Sequence, residues 1–201
     1  MKNVLVLLVF SFLVLFSMCI IKEEKIGSEE YMKSVLFIIA NKNFRDEEFE
    51  KPYQILSKVA RVTIASTSLQ EAIGMFGKRV KPNITIEDVD VNDYDAIIFV
   101  GGSGAKEYFD SKVALEIARK ANENNKILAA ICIAPVILAR AGVLEGRNAT
   151  VWNGEFIDEL KKNGARYTGK DVEIDGNIIT ANGPQAAEKF GKEIEKVLRD
   201  R

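Results

Sequence analysis

Ile127-Leu128-Ala129-Ala130-Ile131-Cys132-Ile133-Ala134-Pro135 is an apolar run that ends in a cysteine and a short step to proline. Five consecutive apolar residues without alternation form the pattern of a parallel strand covered on both faces. Ala134 to Ala141 reads as a helix, with Gly142 as its stop. Cys132 therefore stands on the turn from a buried strand into a helix. Such a turn projects its side chain from the top of the sheet, and the helix beyond offers unpaired N–H groups and a positive dipole end that favour thiolate over thiol. Free cysteine is also among the most buried residue types and often only fills core space. The residues next to Cys132 leave both readings open.

Working outward, two more apolar runs share the pattern, Val35 to Ala40 and Asp95 to Val100. After the first, Asn41-Lys42-Asn43 reads as a polar turn and residues 46–59 as a helix, with acidic residues in the first turn and a kink expected at Pro52. Arg61 to Ser66 reads as a strand. Residues 73–86, broken by Gly74, Gly77 and Pro82, read as short strands or a hairpin. The run ending at Val100 enters Gly101-Gly102-Ser103-Gly104, which requires a tight loop. Asp110 or Ser111 caps a helix to about Asn124, Phe156 to Asn163 forms another, residues 172–180 are two strands about a turn, and Pro184 opens the last helix. Strands alternating with helices imply an α/β fold, with a mostly parallel sheet, helices on both faces and a site beyond the carboxyl ends of the strands.

At 201 residues the chain accommodates one well-buried domain and a short extension. With 47% apolar and 28% charged residues it has a globular composition, which sets disorder aside. The 28 basic and 29 acidic residues nearly cancel and no basic stripe stands out, so nucleic acid is not expected as a partner. The chain has no histidine, which removes Ser-His-Asp and Cys-His triads, His-ligated zinc and the usual neutral-pH proton shuttle. Val4 to Ile21 is almost unbroken apolar sequence between Lys2 and the charged stretch Lys22 to Lys25. Residues 1–31 thus read as a signal peptide, a membrane anchor or, because Met32-Lys33-Ser34-Val35 is a natural opening, a stretch ahead of the true start. Export or membrane attachment follows in the first two cases and a cytoplasmic location in the third. Cys19 lies in that run, and a disulfide with Cys132 is not expected.

Ala129 to Pro135 resembles the nucleophile elbow of the ThiJ/PfpI family, which includes the Parkinson-disease protein deglycase and the PfpI proteases. Phe44 to Pro52 is similar to the family's acidic first loop and helix, and Val100 to Gly104 to its glycine loop. Ala149-Thr150-Val151-Trp152 and Asp175 to Pro184 also match, so the resemblance runs in order from about Ser34 to the C-terminus. It implies a flavodoxin-like three-layer sandwich of the class I glutamine amidotransferase kind over residues 32–201, and a homo-oligomer.

The resemblance also implies roles. Glu48, four residues before Pro52, takes the place of the glutamate that hydrogen-bonds the cysteine sulfur. Protonated, it donates to a thiolate; ionised, it removes a proton from a carbon, and burial beside an anion would raise its pKa. Its neighbours Asp46, Glu47 and Glu50 read as a solvated helix start. The amides of Gly101, Gly102 and Ile133 are candidates for an oxyanion site. A dinucleotide loop is disfavoured, because no complete Gly-x-Gly-x-x-Gly is present. Trp152 reads more as core than as ligand contact, and otherwise as an apolar pocket wall. Arg45 either supports the thiolate or points to solvent. The PfpI proteases carry histidine after the cysteine, where this chain has Ile133, so proteolysis by their route is disfavoured.

The activity that the resemblance implies is that of a cysteine-dependent enzyme, without cofactor or metal, acting on reactive carbonyls or glycated protein in the manner of a glyoxalase or deglycase. Two alternatives are a redox-sensing or protective protein whose Cys132 is oxidised to sulfinic acid, and a flavodoxin-like module that binds a flavin or nucleotide.

Overall fold

The computed structural model describes residues 32–201; the readings of residues 1–31 lie outside them. Numbered in chain order, the strands are β1 (Ser34–Ile38), β2 (Lys42–Phe44), β3 (Arg61–Ser66), β4 (Ala72–Gly74), β5 (Arg79–Val80), β6 (Ile84–Thr85), β7 (Ala96–Phe99), β8 (Ile127–Ile131), β9 (Asn148–Ala149), β10 (Arg166–Tyr167), β11 (Val172–Asp175) and β12 (Ile178–Ala181). The α-helices are α1 (Asp46–Leu56), α2 (Lys112–Glu123), α3 (Pro135–Arg140), α4 (Glu155–Lys162) and α5 (Ala187–Arg199).

Seven strands form the central sheet in the order β11-β12-β8-β7-β1-β3-β6. Only the edge pair β11–β12 is antiparallel. Every residue of β1, β7 and β8 is buried, as their unbroken apolar runs require when helices cover both faces. This is the α/β sandwich with a mostly parallel sheet that the sequence implies. Because β12, β8, β7 and β1 are adjacent and parallel, the loops leaving their carboxyl ends meet at one edge of the sheet.

Several local expectations need correction. Lys42 and Asn43, read as part of the polar turn Asn41-Lys42-Asn43, instead belong to the strand Lys42–Phe44, which pairs with β4 in the small sheet β2-β4-β5. Its pairing is non-local, and two exposed residues in three leave no periodic signal. Of residues 73–86, β4 and β5 form an antiparallel hairpin while β6 joins the edge of the main sheet. Helix α1 runs through Pro52 and ends at Leu56, short of Val59. Pro52 and Ile55 face α5, where Gly191 permits close approach: a methyl group there would lie 2.9 Å from Pro52 Cα and 2.9 Å from Ile55 Cδ1. Among the described residues no helix is long and apolar enough to cross a membrane.

Candidate active site

Cys132 follows β8 directly and has φ 63°, in the left-handed region. That conformation costs a non-glycine residue roughly 1–2 kcal/mol, so the surroundings must hold it. They do so through the backbone: the Cys132 amide donates to the Ala181 carbonyl at 2.9 Å, and its carbonyl accepts from the Trp152 amide at 2.8 Å. The expected sharp turn is present, and Cys132 is a free, largely buried thiol.

Glu48, in the first turn of α1, is fully buried. Gly101 lies between it and the cysteine. A Cβ on Gly101 would collide with Glu48 Oε2 and stand 2.6 Å from Cys132 Cβ. The Arg45 amide donates to the Gly101 carbonyl at 3.0 Å, which fastens the start of α1 to the glycine loop. Gly102 has φ 94° and packs against the backbone at Asn43 to Arg45, so only glycine suits both its conformation and its space.

Burial pushes the Glu48 carboxyl up to about 8, against the weaker pull of the Cys132 thiol, the Arg45 charge and the Gly101 amide. Neither carboxyl oxygen has a partner in hydrogen-bond geometry among the described residues, so these neighbours polarise the group without being aligned on it. An uncharged, buried acid facing a thiol is the result. Burial and then the Glu48 charge push the Cys132 thiol well above its usual range, against the amides of Gly102 and Ile133. This corrects the expectation of a thiolate stabilised by a helix dipole. The following helix α3 spans only six residues and begins with Pro135, which has no N–H to donate, while the sulfur is largely removed from water. The two groups form one coupled acid pair. Loss of its first proton leaves a single negative charge shared between sulfur and carboxyl, and the second proton is held far more tightly.

Of the three candidate amides, those of Gly102 and Ile133 face the sulfur, whereas that of Gly101 faces Glu48. The pocket above Cys132 has a volume of about 360 Å³ and is lined by Arg45, Glu48, Gly102, Ile133 and Trp152 among the residues singled out from the sequence. A larger groove of about 1130 Å³ runs between residues 86–92 and α2 but contains none of them. Among the described residues no cluster of histidine, cysteine, aspartate or glutamate is arranged to hold a metal.

A profile of the DJ-1/PfpI family matches residues 33–196. The chain belongs to the DJ-1/PfpI family. Relatives include an uncharacterized protein of Methanocaldococcus jannaschii, 43% identical over 98% of each chain, and the deglycase PfpI of Pyrococcus furiosus, 33% identical over 82% of this chain and 99% of its own. The crystal structure of a ThiJ/PfpI domain protein from Brachyspira murdochii superimposes with a TM-score of 0.82 at 29% identity, covering 85% of this chain and 98% of that one.

Within this family fold, several readings of the site change. Trp152 is 40% exposed and forms a pocket wall rather than core. Its ring lies over Gly183, where a Cβ would stand 2.5 Å from Trp152 Cε3. Arg45 lines the pocket, but its guanidinium pairs with Glu47 at 2.8 Å and stacks on Phe76 at 4.5 Å, so its charge is already engaged. Asp46, read as solvated, is buried and accepts from the amides of Phe76 at 2.9 Å and Lys78 at 2.8 Å, anchoring the β4–β5 turn. That turn supplies Met75 to the pocket. Met75, Ser103, Lys106, Glu155, Phe156 and Pro184 also line it and were not legible as site residues. For Ser103 and Lys106 the glycine loop itself was the available signal; Met75 arrives through a non-local hairpin and had none.

Proposed function

We propose that the protein is a cysteine-dependent enzyme acting on reactive carbonyls, in which Cys132 is the nucleophile and Glu48 the proton carrier. The observation that carries this reading is the buried pair itself: a thiol beside a carboxyl raised to about 8, with two backbone amides directed at the sulfur. The Gly102 and Ile133 amides so placed suit an oxyanion that forms where the thiol attacks. The name of one relative, the deglycase PfpI of Pyrococcus furiosus, agrees with carbonyl chemistry.

With a 2-oxoaldehyde the steps balance without an outside oxidant. In the mono-anionic pair, Glu48 takes the thiol proton as sulfur forms a bond to the aldehyde carbon, and the carbonyl electron pair moves to oxygen beside the Gly102 and Ile133 amides. Glu48 returns that proton to the oxygen, giving a hemithioacetal. Ionised again, it removes the proton on the same carbon and delivers it to the neighbouring ketone oxygen as the electron pair forms an enediol. Glu48 then takes the hydroxyl proton at the first carbon and returns it to the second carbon, which leaves a thioester. The first carbon is oxidised and the second reduced. Water then cleaves the thioester to a 2-hydroxy acid and restores the thiol.

The test is formation of lactate from methylglyoxal by the full chain and by Cys132→Ser. Turnover above a free-thiol control that disappears in the variant is expected, and a rate equal to that control would reject the reading.

A further inference from the structure

The pocket is larger than a three-carbon dicarbonyl requires. At about 360 Å³ it lies within the range of sites that enclose ring-sized ligands. Its inner end is the Cys132–Glu48 pair, and its outer part has a different composition. There Trp152, Phe156 and Met75 present apolar surface, with Trp152 and Met75 40% and 41% exposed. Lys106 stands over this surface, its Nζ 5.5 Å from the Phe156 ring centroid. Its only carboxylate partner among the described residues is Glu155 at 3.6 Å, and both side chains are more than half exposed. An ion pair so open to water contributes little and exchanges readily for another anion. Arg45, the other cation of the pocket, is held by Glu47 on one side and Phe76 on another. Lys106 is therefore the cation able to change partners.

We propose that Trp152, Phe156 and Lys106 form a subsite for a planar apolar group bearing a carboxylate, so that the preferred carbonyl substrates are aryl or similarly flat 2-oxo compounds with an anionic end. This inference rests on the reading of the Cys132 pocket as the substrate pocket. The ring of the ligand lies along Trp152 and Phe156 while its carboxylate takes the place of Glu155 on Lys106. Burial of the apolar face supplies most of the binding and the charge selects among rings of equal size.

Trp152 is the sole tryptophan of the chain and so reports on this subsite by its fluorescence. The full chain is titrated with 4-methylbenzoate and, as a neutral shape match, 4-methylbenzamide; neither reacts with a thiol. The anion is expected to bind about fivefold more tightly, the size of one partly exposed charge contact. Lys106→Met should bring the two dissociation constants together, and Phe156→Ala should weaken both probes. Glu155→Gln should tighten the benzoate a few-fold, because it removes the competing carboxylate. Equal binding of the two probes to the unmodified protein, or a preference for benzoate that survives Lys106→Met, overturns the proposal. In a parallel assay, kcat/KM is compared for phenylglyoxal with and without a para-carboxylate. Selective binding with no turnover of any carbonyl would reject the enzymatic reading and leave the subsite standing, whereas turnover of methylglyoxal with equal binding of both probes would do the reverse.

Discussion

The two ends of the Cys132 pocket are built on opposite principles. At the inner end Glu48, Gly101 and Cys132 are packed so closely that a methyl group on Gly101 collides with both neighbours. Both carboxyl oxygens there lack aligned partners, and burial governs the pKa of each group. At the outer end Trp152 and Lys106 are open to water, and Lys106 and Glu155 pair across solvent. Electrostatic effects are large where water is excluded and small where it is present. On the proposed reading, the inner end sets what chemistry occurs and the outer end adjusts which molecule undergoes it.

The sharpest way to break this contrast is to change the inner pair. Glu48→Gln keeps the shape but cannot take a proton, so turnover should fall by at least about 10²-fold, the usual contribution of a positioned acid or base. Cys132 in that variant should still react with iodoacetamide. An inert thiol would mean that Glu48 holds the structure rather than moves protons, and unchanged turnover would place the base elsewhere. Next in size is Gly101→Ala, which must displace either Glu48 or the cysteine. Loss of turnover is expected together with a lowered melting temperature, a cost of about 1–3 kcal/mol for forced overpacking. A fully active and stable Ala variant would show that the inner end is less rigid than its contacts imply.

The pH dependence sharpens the same comparison. Because Glu48 is raised to about 8, alkylation of Cys132 should increase with pH through that value rather than level off well below it. Glu48→Gln leaves the thiol as the only ionisable member of the pair, still held up by burial, so its alkylation profile should rise in a single step at or above that value. The sign for stability follows from the direction of the shift. The folded state binds the Glu48 proton more tightly than the unfolded state, so the favourable contribution is complete below the ordinary value of 4.5 and is lost as pH rises to about 8. Thermal melts should thus show wild type losing stability relative to Glu48→Gln across that window, at up to about 1.4 kcal/mol per pH unit. Parallel curves would indicate that the carboxyl is already ionised in the folded protein.

The smallest effect is expected at Arg45. Its guanidinium is engaged by Glu47 and Phe76 at a partly exposed position, so Arg45→Met should alter kcat/KM only a few-fold. A loss comparable with that of Glu48→Gln would place this rim charge among the groups that act on the sulfur.

The central frame and the position of the site were legible because they rest on short-range rules. Short continuous apolar runs bounded by turn residues fit strands covered on both faces, and the order of strand, glycine loop and elbow places Gly101 and Cys132 at the same sheet edge. Glu48 was found by resemblance, since its burial cannot be seen in an acidic stretch where Asp46, Glu47 and Glu50 look alike. Tertiary structure decided which of these carboxyls is buried against the thiol, which caps a turn and which pair with cations. It also decided the sign of the cysteine shift. Local sequence shows the start of a helix, whereas desolvation and the facing carboxyl come from β7 and α1, far away in the chain. Strand type and turn position follow from neighbours along the backbone; solvent exclusion and charge proximity depend on what the folded chain brings together from a distance.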